Sequence, residues 1–312
     1  MKTFLENLKK ELSKLDFNEE TIEEILNDHK EMIQSALEEG LEESKITEKF
    51  GDPEKIAKDL KDIEPDDKNE NNEYKLIKSF DQETINKFFI KLISEDLKLE
   101  ISNSNQFEIY GKRVKLNKYN IEVESECLTI EKKNEKTFGL FSFSSGSAKF
   151  IIKVPHDKTL KEIDYKATSG DFEFSNLTSE NLKIKNVSGD IEAKTIKATN
   201  FYIKTVSGDV ELKQSEIKEL TISIVSGDID MDSVVIIENL KINSVSGDTN
   251  INSCESKEFI YNSVSGDFEA KEYYPKNANL KSVTGDIEFK NKDKDKNINV
   301  VSKKTLRGEI KI

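Results

Sequence analysis

The chain has no tryptophan, four prolines, two histidines, two cysteines and, among 48 basic residues, only the arginines Arg113 and Arg307. Cys127 and Cys254 are far apart and sit in no metal-ligand spacing, so they read as small buried residues and exclude a disulfide framework or a zinc site. Catalysis needs a nucleophile, a base or a metal at convergent geometry. With so few histidines, cysteines and arginines, the expectation is a non-enzymatic protein without cofactor or metal. There is no run of 18 apolar residues, so no transmembrane helix and no direct membrane insertion are expected. The opening residues, Met1-Lys2-Thr3-Phe4-Leu5-Glu6-Asn7, are charged too early and too often for a signal peptide. The expected location is the cytoplasm, with membrane association only through a partner.

What the chain does have is charge. It is 35% charged with a net charge of −13 over 312 residues, against the roughly 25% charged of an ordinary globular chain. The structure should be thin, with much surface for its volume. An acidic balance excludes a nucleic-acid backbone as the main partner.

Residues 1–63 read as a small helical bundle. Phe4, Leu5, Leu8, Leu12 and Leu15 recur at helical spacing. Asn18 is placed to cap a second helix that carries Ile22, Ile25, Leu26, Ile33 and Leu37 and stops near Gly40. A short third helix from Ser44 ends at Gly51, and Asp52-Pro53-Glu54 starts a fourth: Asp caps, Pro takes the first helical position, and Glu faces the positive end of the dipole. With 10 Lys against 18 Asp and Glu, this segment holds −8 of the charge. His29, beside acidic residues, reads as a surface or edge histidine. Phe50-Gly51-Asp52-Pro53-Glu54-Lys55-Ile56-Ala57-Lys58, with the acidic Glu38-Glu39-Gly40-Leu41-Glu42-Glu43, resembles the bacterial HAAS-type helical domain. That resemblance implies signalling through protein contacts, with a transcription regulator or a membrane protein as partner. The expected docking residues are Phe50 and Ile56 as apolar anchors and Glu38, Glu39, Glu42 and Glu43 as an acidic rim.

Residues 64–75 are polar without periodicity and read as a flexible acidic linker. Beyond them an internal repeat dominates. Ser-Gly-Asp stands at 169–171, 188–190, 207–209, 226–228, 246–248 and 265–267, Thr284-Gly285-Asp286 continues it, and Arg307-Gly308-Glu309 is a decayed copy. The glycines are spaced 19, 19, 19, 20, 19, 19 and 23 residues apart. Apolar residues stand two and four positions after each glycine (Ile191 and Ala193, Ile229 and Met231) and five and seven before it (Ile184 and Leu182, Ile222 and Leu220). Period-two alternation on both sides predicts two half-buried strands per repeat, and stacked repeats share a core. The predicted architecture is therefore multidomain α plus β: a helical bundle followed by a single-chain β-solenoid with coils of about 19 residues. A propeller blade needs roughly 40 residues and is excluded. Residues 166–312 form the regular solenoid, and residues 76–165 an irregular β region forming its first coils. Ile93 to Leu99 and Ser125 to Ile130 read as degenerate turns of the same design, and Phe138 to Gly146 as an apolar loop on the solenoid edge.

The triplets read as structural corners. They comprise Gly170 and Asp171, Gly189 and Asp190, Gly208 and Asp209, Gly227 and Asp228, Gly247 and Asp248, Gly266 and Asp267, and Gly285 and Asp286. Gly accepts positive φ, and the flanking Ser and Asp bond nearby backbone. One glycine per coil does not match a calcium-binding nonapeptide, so no specific calcium site is expected. Three residues after the glycines runs an acidic ladder (Glu173, Glu192, Glu211, Asp230, Glu269, Glu288), tolerable only on an outer face. Lys166, Lys185, Lys204 and Lys281 stand four before them. The recurring Val-Ser-Gly-Asp-Ile, as at 187–191 and 225–229, resembles the bacterial putative-adhesin repeat family. The two segments together are similar in architecture to Gram-positive envelope-stress sensing proteins. This implies a protein-interaction scaffold or sensor in bacterial signalling or envelope stress. The alternative is a surface-associated, adhesin-like binder of envelope polysaccharide or peptide.

Overall fold

A computed structural model describes residues 2–15, 17, 19–38, 41–63, 73–133, 148–293 and 296–312. They form two compact units, one helical and one of strands.

In the helical unit, α1 (Lys2–Lys14), α2 (Glu19–Glu38), α3 (Ile46–Phe50) and α4 (Pro53–Ile63) follow the predicted periodicity, with a 3₁₀ turn at Glu43–Lys45 before α3. Phe4, Leu8 and Leu12 line the inner face of α1 and share a core with Ile22, Ile25, Ile33, Ile46, Ala57 and Leu60. Asp52 caps α4: its Oδ1 accepts the N–H of Glu54 at 2.9 Å. Asn18 and Gly40, read as a cap and a stop, lie outside the described residues. His29 corrects the sequence reading. It is fully buried, with Nδ1 2.7 Å from the Ile25 carbonyl oxygen and its ring 6.4 Å from that of Phe4. The helical period carries it to the inner face despite its acidic neighbours.

The strand unit is a two-sheet solenoid. Each regular coil contributes a long strand to an eleven-stranded sheet, turns at the glycine corner, and contributes a four-residue strand to a twelve-stranded sheet. Lys197–Ser207 and Val210–Lys213 make one such coil, and Glu216–Ser226 and Ile229–Asp232 the next. Pairing is parallel and residue for residue: Phe201 with Leu220, Ile203 with Ile222, Val210 with Ile229, Leu212 with Met231. These residues face inward and are buried, as the alternation requires. Aromatic rings fill the core at both ends of the regular stack. Tyr165, Phe172, Phe174 and Phe201 occupy one end, and Phe259, Tyr261, Phe268, Tyr273 and Phe289 the other.

A second corner closes each coil, six residues after the glycine. Asn176, Thr195, Gln214, Ser233, Ser253 and Glu272 hold φ between 49° and 57° there. A left-handed residue that is not glycine costs about 1–2 kcal/mol. The strain is compensated by pairing between coils, as when the Thr195 N–H donates to the Lys213 carbonyl at 3.0 Å.

Residues 76–165 do build coils, but not in chain order. Lys87–Lys91 lies between Thr159–Lys166 and Cys127–Lys132, and Asp96–Ser102 lies between Phe172–Ser175 and Lys149–Pro155. The first coil is thus inserted between the outermost coil and the regular stack. Beyond it, Gln106–Lys112 and Lys75–Asp81 extend one sheet with antiparallel pairing, and Tyr119–Glu124 extends the other. Strand begins at Lys75, the last residue of the segment read as linker. Within Ser125 to Ile130, Cys127 to Ile130 runs parallel to Lys87–Lys91 as a coil strand, as expected, but the turn before it is of another kind. Ser125 and Glu126, both at positive φ, form the two-residue turn of an antiparallel hairpin that pairs Glu124 with Cys127. The Phe138 to Gly146 loop lies outside the described residues.

Candidate interaction surface

The corners carry the most regular chemistry of the molecule. At Gly227 the backbone holds φ 124°, and an added Cβ would overlap the Gly208 carbonyl oxygen. At Gly247, φ is 107° and the Cβ would overlap the Gly227 carbonyl oxygen. Glycine is required twice over, by conformation and by the approach of the neighbouring coil. The aspartate after each glycine joins a continuous chain of bonds. The Asp190 N–H donates to Asp171 Oδ1 at 3.0 Å, Asp209 to Asp190 at 2.8 Å, Asp228 to Asp209 at 2.8 Å, and Asp248 to Asp228 at 2.7 Å. Asp267, Asp286 and Glu309 continue it. The carboxylate row is therefore built into the fold, and its side chains are exposed.

The predicted acidic ladder lies outside. Glu173, Glu192, Glu211 and Asp230 are direct neighbours in the short-strand sheet. Lysines two residues from the carboxylates relieve the repulsion. Lys213 pairs with Glu211, Lys271 with Glu269 at 2.6 Å, and Lys290 with Glu288 at 3.3 Å. Where the lysines stop, amides take over: Asn250 donates to Asp230 at 3.0 Å and Asn252 to Asp232 at 2.6 Å. A shallow cleft at the N-terminal end of this face is lined by Tyr74, Lys98, Lys149, Asp96, Asp171 and Glu173. Its lysines are already matched, Lys98 to Glu173 at 2.7 Å and Lys149 to Asp96 at 2.8 Å.

Sequence reasoning missed one buried cluster. Ser94-Glu95-Asp96 occupies the corner position of the inserted coil: the Asp171 N–H reaches Asp96 Oδ1 at 3.1 Å, as at every later corner. Glu95 stands where glycine stands elsewhere and is buried. Its Oε2 accepts the N–H groups of Ile93 and Ser94 at 2.8 and 3.0 Å, and its Oε1 accepts the Tyr119 hydroxyl at 2.9 Å and Lys132 Nζ. Burial pushes the carboxyl upward, but Lys132, the Ile93 N–H and Tyr119 outweigh it and hold it below the ordinary carboxylate value. Burial and the Glu95 charge push the Tyr119 hydroxyl well up. The ion pair ties the hairpin strand to the corner. Cys254 is buried and its thiol pushed up to about 11, chiefly by burial, while Cys127 is half-buried; both are free thiols. Among the described residues no group of three or more His, Cys, Asp or Glu side chains is arranged to hold a metal ion.

The helical-domain residues fall into different settings. Glu42 and Glu43 are exposed and Phe50 is half-buried. Ile56 is buried within the helical core, so it is not an exposed anchor; its position three residues after the α4 start turns it inward. Glu38 ends α2, and Glu39 lies outside the described residues.

Two-sheet coils with a glycine corner and stacked outer ladders find their match in a known family. The model of the family described as Toastrack DUF4097 matches residues 85–237 and 233–312. The chain belongs to this family. The HAAS family matches residues 3–59, so the toastrack region follows an N-terminal HAAS domain. No curated protein matches the chain. Among solved structures, a putative lipid binding protein from Parabacteroides distasonis is 20% identical, with a TM-score of 0.55 over 78% of this chain and 98% of its own. A putative adhesin from Bacteroides fragilis is 18% identical, with a TM-score of 0.43 over 76% and 97%. The first of these likenesses supports the toastrack fold. Among the described residues no helix is long and apolar enough to cross a membrane.

Proposed function

We propose that this chain is a non-enzymatic interaction scaffold of bacterial signalling or envelope-stress response, in which the HAAS domain docks a regulator or membrane protein and the toastrack presents an extended platform. The observation that carries this reading is the repetition of one outward residue type per coil. A surface of stacked, evenly spaced rows suits a long, shallow contact, as in other solenoids. The HAAS domain adds a compact acidic module with exposed Glu42 and Glu43 beside half-buried Phe50. Complementary charge there would speed encounter and select a basic partner more than set affinity.

The test uses the full chain as bait, with Glu38, Glu39, Glu42 and Glu43 reversed to lysine in a second bait. The reading expects a partner retained by the native chain and lost, or bound with a slower association rate, by the variant. Equal capture by both baits would count against docking through the HAAS domain. Cleavage of the chain by protease added to intact cells would favour a surface-associated binder of envelope polysaccharide or peptide.

A further inference from the structure

One row on the toastrack surface is apolar where its neighbours are polar. Two residues before each corner glycine stand Val187, Val206, Val225, Val245, Val264 and Val283, each 40–47% exposed. Ile93, two before Glu95, and Leu306, two before Gly308, hold the same place at the ends and are also exposed. Thr168 is the one polar member. The alignment is fixed by the ladder: Thr205 pairs with Ile224 and Ser207 with Ser226, which sets Val206 beside Val225, and the next coil sets Val225 beside Val245. Ser169 N–H to Ile93 carbonyl and Ser207 N–H to Val187 carbonyl are the same bond at different coils. Eight steps of ~4.8 Å make a row about 38 Å long. Contiguous exposed apolar surface of this extent marks a contact site.

The flanks say what covers it. On one side runs the exposed corner-aspartate row. On the other, four residues before the glycines, stand Lys166, Lys185, Lys204, Lys281 and Lys304. We propose that the row is the seam of a homodimer in which a second copy of this chain lies alongside, parallel, about a two-fold axis that runs along the row. That rotation exchanges left and right flanks, so lysines meet the partner's aspartates in the outer coils, while Ser223, Asn243 and Asn262, which hold the lysine position in the three central coils, offer hydroxyl and amide donors to the aspartates there. The other face-to-face axis, perpendicular to the row, would set aspartate against aspartate. A lipid surface would set its headgroup phosphates against the aspartate flank, and an anionic one is repelled by a chain of net charge −13. A seam about 38 Å by ~10 Å buries about 800 Å² over both copies, below the ~1,200 Å² of stable complexes, so the association is weak and reversible. The inference stands apart from the docking of the HAAS domain, because it concerns only toastrack residues.

Sedimentation of the full chain over a wide concentration range tests it. The expected result is a reversible monomer–dimer equilibrium with a dissociation constant in the micromolar range. Val225→Lys with Val245→Lys should raise that constant at least tenfold and leave the melting temperature unchanged, because both side chains are exposed. A chain that stays monomeric throughout, or a dimer indifferent to this double substitution, overturns the proposal. Orientation is read by oxidation in a Cys127→Ser background. Val187→Cys and Val283→Cys should each cross-link to their own kind. Cross-links formed only between the two variants would show antiparallel packing and also overturn it.

Discussion

From Gly170 onward the first corner of every coil is turned by a glycine at positive φ, whereas the inserted coil turns the same corner with a buried carboxylate. Glu95 does not share the left-handed backbone of the glycines. Its side chain instead supplies acceptors to the N–H groups of Ile93 and Ser94 and collects Tyr119 and Lys132 from the hairpin. A repeating coil thus solves its corner with backbone conformation and a neighbour of its own kind. The irregular end solves it with a side-chain network drawn from distant sequence. The first solution propagates indefinitely; the second forms once and brings the antiparallel strands into place.

The comparison breaks most sharply at the glycines. Gly247→Val should cost about 4 kcal/mol or more, since it adds a branched side chain at positive φ and drives Cβ into the Gly227 carbonyl. Gly308→Val meets the same overlap with Gly285, but it sits beside the half-exposed Asn299–Lys304 strand and should lower the melting temperature less. Equal losses would show that end coils are as rigid as central ones.

At the irregular corner, Lys132→Met leaves the Glu95 carboxylate buried without its cation and should cost about 3 kcal/mol by chemical denaturation. Adding Glu95→Gln should recover part of the loss. The same group sets a pH dependence. Because folding lowers the Glu95 pKa, its contribution is complete above the ordinary carboxylate range and is lost as pH falls through the lowered folded value. Unfolding curves at a series of acidic pH values should show a shallower slope in Glu95→Gln than in the native chain.

Smaller effects test the regular coils. Asp209→Ala removes the acceptor of the Asp228 N–H and should cost about 1 kcal/mol, while Asp209→Asn keeps an oxygen there and should be near neutral. The second corner offers a gain: Thr195 at φ 56° is a branched residue in left-handed backbone, and Thr195→Asn should raise stability by about 0.5–1 kcal/mol. A thermal melt that fails to rise would mean that the coil has already relaxed around Thr195.

Much of this was legible from spacing and parity. Glycines 19 residues apart and apolar residues at offsets of two and four announced two strands per coil, and the buried Ile191, Ala193, Ile184 and Leu182 agree. The exposed valines were legible too, though only by parity: in Val-Ser-Gly-Asp-Ile the valine shares the outward parity of Lys185 and Lys204 and not the inward parity of Ile184 and Ile203. The left-handed second corner left no such mark, because Asn, Thr, Gln, Ser and Glu all occupy it.

By itself the sequence determined the repeat, the inner and outer faces and the α4 cap at Asp52, since each depends on residues a few positions apart. Only the tertiary structure decided the order of the first coils and the Glu95 corner. Glu95 meets Tyr119 and Lys132, 24 and 37 residues away in sequence, across a coil inserted out of turn. No local period encodes such a contact, because it is set by which strand edge the returning chain finds to pair with.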